Sequence, residues 1–177
     1  SAPDFDRAAV ARMAAFLGRF GADIHVHAYA RAPASFMQSA FQQRVKQNKP
    51  GAAALDAGTL WPRYRDRFEK FDTVLGRDRV HLHAFDPAAF PGGDVVADFA
   101  ARLGVALPEA PPLQVNDGLS REAMAVAWCR LAGRLGPDYP DAAHAARFRA
   151  TPARALSSFG QGRFAFAEAF LAPAIAA

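Results

Sequence analysis

The residues with the clearest chemical content fall between Ile24 and Gln43, which read IHVHAYARAPASFMQSAFQQ. Arg31 closes a short alternating run, Pro33 follows two residues later, and Ser39 stands eight residues after the arginine. An arginine at the carboxyl end of a strand, beside the free N–H groups of a helix start, can grip phosphate or sulfate in a bidentate fork. Ser39 adds a hydroxyl donor if it faces the same cleft. The same residue types also admit a plainer reading, an arginine solvated on a turn and a serine bonded back onto its own helix.

The histidines offer a second chemistry. His25 and His27 share one face of a first strand, and His81 and His83 share one face of a second, because strand side chains alternate with a period of two. Adjacent strands in suitable register would let four imidazoles approach one zinc or other divalent ion. No Glu or Cys supplies a supporting ligand nearby, so the expectation is a site without metal. His27 is the candidate general base, two strand positions before Tyr29. Asp86, directly before Pro87, either orients a ligand at its strand end or forms a turn.

These residues need elements to hold them. Asp4 or Asp6 can cap a helix that carries Val10, Met13, Leu17 and Phe20 on one face and stops near Gly21. Ile24, Val26 and Ala28 alternate with His25, His27 and Tyr29, which predicts a strand over 23–30. Pro33 suits the first turn of a helix running to about Gln47. Gly and Ala between Lys49 and Gly58 read as a connection. Trp61, Tyr64, Phe68, Phe71 and Leu75 predict one amphipathic helix over 60–75 with an aromatic stripe turned to the core. A second strand follows over 79–85, then a helix over 94–103. A helix over 120–135 has Ser120 at its N-cap, a short helix spans 142–148, and a last helical stretch from Phe164 is ended early by Pro173.

Two strands separated by helices imply parallel pairing, and two are too few for a stable sheet. The fold class is therefore α/β, a parallel sheet flanked by helices, incomplete at its N-terminal side and helix-rich in its C-terminal half. Residues 1–177 read as one domain, with 22–106 as the core portion and 107–177 as a helical portion.

Three stretches in order resemble a known family. Tyr29-Ala30-Arg31-Ala32-Pro33 with Ser39 looks like the 3′-phosphate-binding segment of sulfotransferases that use 3′-phosphoadenosine 5′-phosphosulfate (PAPS). Val80–Asp86, then Asp98-Phe99 and Leu103-Gly104-Val105, are similar to that family's later strand and its D-F-x-x-x-L-G-V helix. Asn116-Asp117-Gly118-Leu119-Ser120-Arg121-Glu122-Ala123 is similar to a helix start of bacterial sulfotransferase-like proteins. The likeness covers residues 22 to 130. It implies a P-loop-type fold, Arg31 and Ser39 as the nucleotide-binding residues, PAPS as co-substrate, and sulfuryl transfer to a hydroxyl or amine acceptor such as a glycan. The chain departs from the family in having no Lys and Ser/Thr phosphosulfate loop near Ser1, in Ala32 before the proline, and in offering only Gly160-Gln161-Gly162-Arg163 where the cytosolic enzymes carry an Arg-Lys-Gly nucleotide loop. These departures make a non-catalytic binding or scaffold module the alternative reading.

Composition bounds the rest. The chain has 177 residues, 51% of them apolar, with 15 phenylalanines, enough for one proper core. Its single cysteine, Cys129, sits in the apolar pattern of Met124, Trp128 and Leu131, so it is expected to pack, and the expected compartment is the reducing cytoplasm. No apolar run reaches the ~18 to 20 residues that cross a bilayer, and SAPDFDRAAVARM lacks the order of a signal peptide. A net charge of +4 suits an anionic ligand, while the spread of the basic residues argues against nucleic acid. Oligomeric state and the acceptor are not written in the pattern.

Overall fold

The computed structural model describes residues 5–49, 51–108, 118–134, 153–156 and 158–175. In chain order its elements are α1 (Arg7–Gly18), β1 (Val26–Ala30), α2 (Pro33–Lys46), α3 (Ala57–Leu60), α4 (Tyr64–Leu75), β2 (Val80–Ala84), α5 (Val95–Leu103), α6 (Arg121–Leu131) and α7 (Glu168–Ile175). Short 3-10 turns occupy Ala52–Ala54, Arg77–Arg79, Pro91–Gly93 and Ala153–Leu156. The architecture is mixed α/β and helix-rich, and the expected helix over 142–148 lies outside the described residues.

The chain forms two compact units. The first combines Ser1–Ala32 with Arg63–Ala110, the second Pro33–Pro62 with Pro111–Ala177. Pro33–Pro62, which lies between the two strands in the chain, groups with the C-terminal part.

In the first unit β1 and β2 pair in parallel, with Val26 opposite Val80, His27 opposite His81 and Tyr29 opposite His83. They form the only sheet among the described residues. The N–H of Phe85 donates to Ala30 O at 2.8 Å and carries the pairing one step past the strands. Asp6 caps α1 by accepting from the N–H of Ala9 at 2.7 Å, and Asp4 lies outside the described residues. The helix runs against α4, where Phe5 stacks on Phe71 at 6.1 Å. Asp94 caps α5 through the N–H of Val96, and Gly104 ends it in the left-handed region at φ 66°.

The expected single helix over 60–75 is two helices. Pro62 has no N–H to donate, and Arg63 takes a left-handed backbone at φ 42°, so α3 ends at Leu60 and α4 starts afresh at Tyr64. The aromatic stripe is divided with it: Leu60 and Trp61 belong to the core of the second unit, and α4 buries none of its residues completely.

That second core gathers Met37, Phe41 and Val45 of α2, Ala57 and Leu60 of α3, and Leu119, Ala123, Met124 and Ala127 at α6. Phe164, Phe166 and Phe170 close over it, with Phe166 stacked on Phe170 at 4.5 Å. Ser120 caps α6, accepting from the N–H of Ala123 at 3.0 Å. Cys129 is half-buried, less enclosed than its neighbours' pattern suggests. Pro173 lies inside α7 instead of ending the helical stretch at its own position. No described helix is long and apolar enough to cross a membrane.

Candidate functional site

The carboxyl ends of two parallel strands leave backbone groups and loops facing a common crevice, the usual place for a ligand in open α/β sheets. Here that crevice is a cavity of about 650 Å³ lined by Ala30, Arg31 and Ala32 from the end of β1 and by Leu82, His83, Ala84, Phe85 and Asp86 from β2 and its exit. Arg31 is placed by its surroundings. Tyr64 at the first position of α4 donates its hydroxyl to the Arg31 carbonyl at 2.7 Å, which fixes the backbone there. The guanidinium carbon sits 3.9 Å from the centre of the Phe85 ring. Phe85 in turn meets Phe90 edge-on at 5.4 Å, and Phe90 is buried.

This stacking has a chemical consequence. A ring beneath the plane of a guanidinium engages its face and leaves the in-plane N–H fork for a second partner. No described carboxylate lies within ion-pair distance of Arg31. Asp86, another lining residue, accepts from the N–H of Ala88 at 3.1 Å, so it shapes its turn as well as the crevice.

Ser39 lies exposed on α2, in the second unit, whereas Arg31 closes β1 in the first.

The four histidines do share one face of the sheet, as alternation requires, but they meet in pairs. His25 Nδ1 is 2.9 Å from His81 Nε2, and His27 Nδ1 is 3.2 Å from His83 Nε2. Between the pairs the His27 and His81 rings stack at 4.6 Å. Asp23 ends the row, with one carboxylate oxygen 3.2 Å from His25 Nε2 and the other 3.2 Å from Arg79 Nη2. Among the described residues no three His, Cys, Asp or Glu side chains converge to hold a metal ion. The imidazole nitrogens are engaged with one another instead, which a neutral ring allows because one nitrogen donates and the other accepts.

α5 lies against the other end of this row. Phe99 meets the His27 ring edge-on at 5.9 Å. Asp98, a buried acid, accepts from the Tyr29 hydroxyl at 2.5 Å and from Arg102 Nε at 2.6 Å. These two donors, Arg102 foremost, hold the Asp98 carboxyl below the usual carboxylate range. Partial burial and then the hydrogen bond to Asp98 raise the Tyr29 phenol. Burial, with the charges of His81, His25 and Arg102 behind it, lowers the His27 imidazole. His83 is lowered by burial and by Arg102 and His27, against a smaller pull from Asp98.

Of the residues singled out in the sequence, Arg31 and Asp86 meet at one cavity, and His27 stands one ring behind it: His83, not His27, lines the wall. His83, Phe85, Tyr64 and Asp98 carry the geometry and were not singled out for it. Asp98 had a signal, since it opens the D-F-x-x-x-L-G-V pattern; Tyr64 had none, because its partner lies 33 residues away. No family profile, curated protein or solved structure matches the chain.

Proposed function

We propose that the cavity at the carboxyl ends of β1 and β2 binds a phosphate-bearing ligand through Arg31, and that this ligand is PAPS or its desulfated product, adenosine 3′,5′-bisphosphate. The observation that carries the reading is a guanidinium braced on the Phe85 ring, without a described carboxylate partner, on the wall of a 650 Å³ crevice. The order of motifs from Tyr29 to Ala123 supports the nucleotide and, with it, a sulfotransferase-like domain of P-loop type. In the transfer itself an acceptor oxygen or nitrogen bonds to sulfur as the bridging S–O bond breaks, the acceptor proton passes to a base, and negative charge leaves on the nucleotide phosphate. Arg31 serves the nucleotide in this scheme.

Calorimetry with adenosine 3′,5′-bisphosphate tests it. Losing a charged hydrogen-bonding partner costs roughly 1.5–3 kcal/mol, so Arg31→Ala should weaken binding about 10- to 150-fold. Unchanged affinity in that variant removes the assignment of Arg31.

A second reading has its own support. His27 is engaged with His83 and covered by Phe99, and Arg31 is the sole cation among the described residues lining the cavity. Both facts favour a binding module that keeps the scaffold without the transfer chemistry. Transfer of labelled sulfate from PAPS to any hydroxyl or amine acceptor would exclude it.

A further inference from the structure

The histidine face is built as an acid-sensitive latch. We infer that the row His25, His81, His27 and His83 holds α5 on the sheet when its imidazoles are neutral, and that protonation of His27 and His83 releases α5.

The inference stands on how the groups are packed. Ring centres follow one another at 5.2 Å from His25 to His81, 4.6 Å from His81 to His27 and 5.4 Å from His27 to His83. Each hydrogen-bonded pair uses one donor and one acceptor nitrogen, and a pair that has taken a second proton has two donors facing each other. The charges around the row make matters worse for a proton at the α5 end. Arg79 and Asp23 face the His25 end and engage each other. From α5 come Arg102 and Asp98, and Asp98 is already occupied by Arg102 and the Tyr29 hydroxyl. From the strands come the other imidazoles themselves. α4, which packs on β2, contributes no charge that acts on His27 or His83. New positive charge at His27 and His83 therefore lies beside Arg102 with no carboxylate among the described residues left over for it.

What α5 gains from the face is correspondingly sensitive. Its Phe99 meets the His27 ring, and Asp98 ties it to Tyr29 two strand positions further on. The unfolded chain takes protons at the ordinary histidine value of 6.5, while the folded rings resist them. The hold on α5 is then complete above that value and is lost as pH falls below it.

Hydrogen exchange of the α5 amides, corrected for the intrinsic pH dependence of exchange, reads the latch directly. Between about pH 7.5 and about pH 5.0, protection over 95–103 should fall by about tenfold or more, while α6 amides in the second unit keep theirs. In the His27→Gln, His83→Gln double variant the fall should disappear. Unchanged protection in the unsubstituted chain, or the same fall in the double variant, overturns the inference. Imidazole resonances of the unsubstituted chain supply an independent measurement: His27 and His83 should titrate below 6.5, and titration of both at or above it also overturns the inference.

Discussion

Phe85 shows how much of the site depends on a side chain with no chemistry of its own. Its ring fixes where the Arg31 guanidinium lies and is itself held by Phe90 and Tyr29, at 5.4 and 6.4 Å. Cation–π contacts contribute roughly 0.5–2 kcal/mol depending on exposure. Phe85→Leu keeps an apolar wall but removes the quadrupole, so affinity for adenosine 3′,5′-bisphosphate should fall by about 2- to 30-fold. Calorimetry showing no loss would mean that Arg31 is held by its backbone alone. Asp98→Asn makes a complementary demand at the other end of the row. It keeps the size of the side chain but removes the charge that Arg102 and Tyr29 both address, and should lower the urea midpoint with an unchanged slope. Because the Asp98 carboxyl is depressed, the ion pair it makes with Arg102 within α5 is present above the ordinary Asp range and lost as pH falls through that lower value. The Asn variant should therefore be less stable than the parent at neutral pH, and the gap should close in strong acid.

At the scale of elements, local chemistry decided more than long-range pairing. Alternation from Ile24 to Tyr29 and from Val80 to Phe85 was enough to place both strands and to put His25, His27, His81 and His83 on one face. It could not say whether the rings converge or stack, because that depends on register: His27 faces His81, so the hydrogen bonds run along diagonals to His25 and His83. The break in the helix expected over 60–75 has the same origin, since apolar spacing continues across Trp61-Pro62-Arg63 while the helical backbone does not. Caps were readable because they are local. Ser120 both caps α6 and donates to the carbonyl of Phe159 at 2.5 Å, and the N–H of Arg121 donates to Gly162 O at 2.6 Å. Gly160–Arg163, set beside a nucleotide loop by resemblance, is here the strap across the start of α6. Ser120→Ala should cost about 1 kcal/mol or more in chemical denaturation through the lost cap. Gly160→Ala should be worse. Gly160 has φ 76°, and an added Cβ would stand 2.5 Å from Glu122 Oε2 and 2.7 Å from Ser120 Oγ, so it strains its own backbone and displaces the cap together. A Gly160→Ala chain as stable as the parent would show that this strap does not hold the helix.

For the whole molecule, the two units divide the work between them in composition as well as in space. The strand pair, the histidine row and the Arg31 cavity belong to the first. The enclosed apolar core built on Met37, Phe41, Met124 and the C-terminal phenylalanines belongs to the second. A sequence of uniform apolar content does not announce this, because Pro33–Pro62 lies between the strands in the chain yet joins the C-terminal part. The division supplies its own probe. Both tryptophans of the chain, Trp61 and Trp128, pack against the second core, so tryptophan fluorescence reports that unit. Met37 is fully buried there. Met37→Ala removes its thioether and leaves a cavity, which in well-packed cores costs about 2–5 kcal/mol. Urea unfolding followed by tryptophan emission should show the unfolding free energy reduced by that amount, as a lowered midpoint with little change in slope. A shift below about 0.5 kcal/mol would mean that the α2 face is not packed as a core at all, since a surface truncation costs that little.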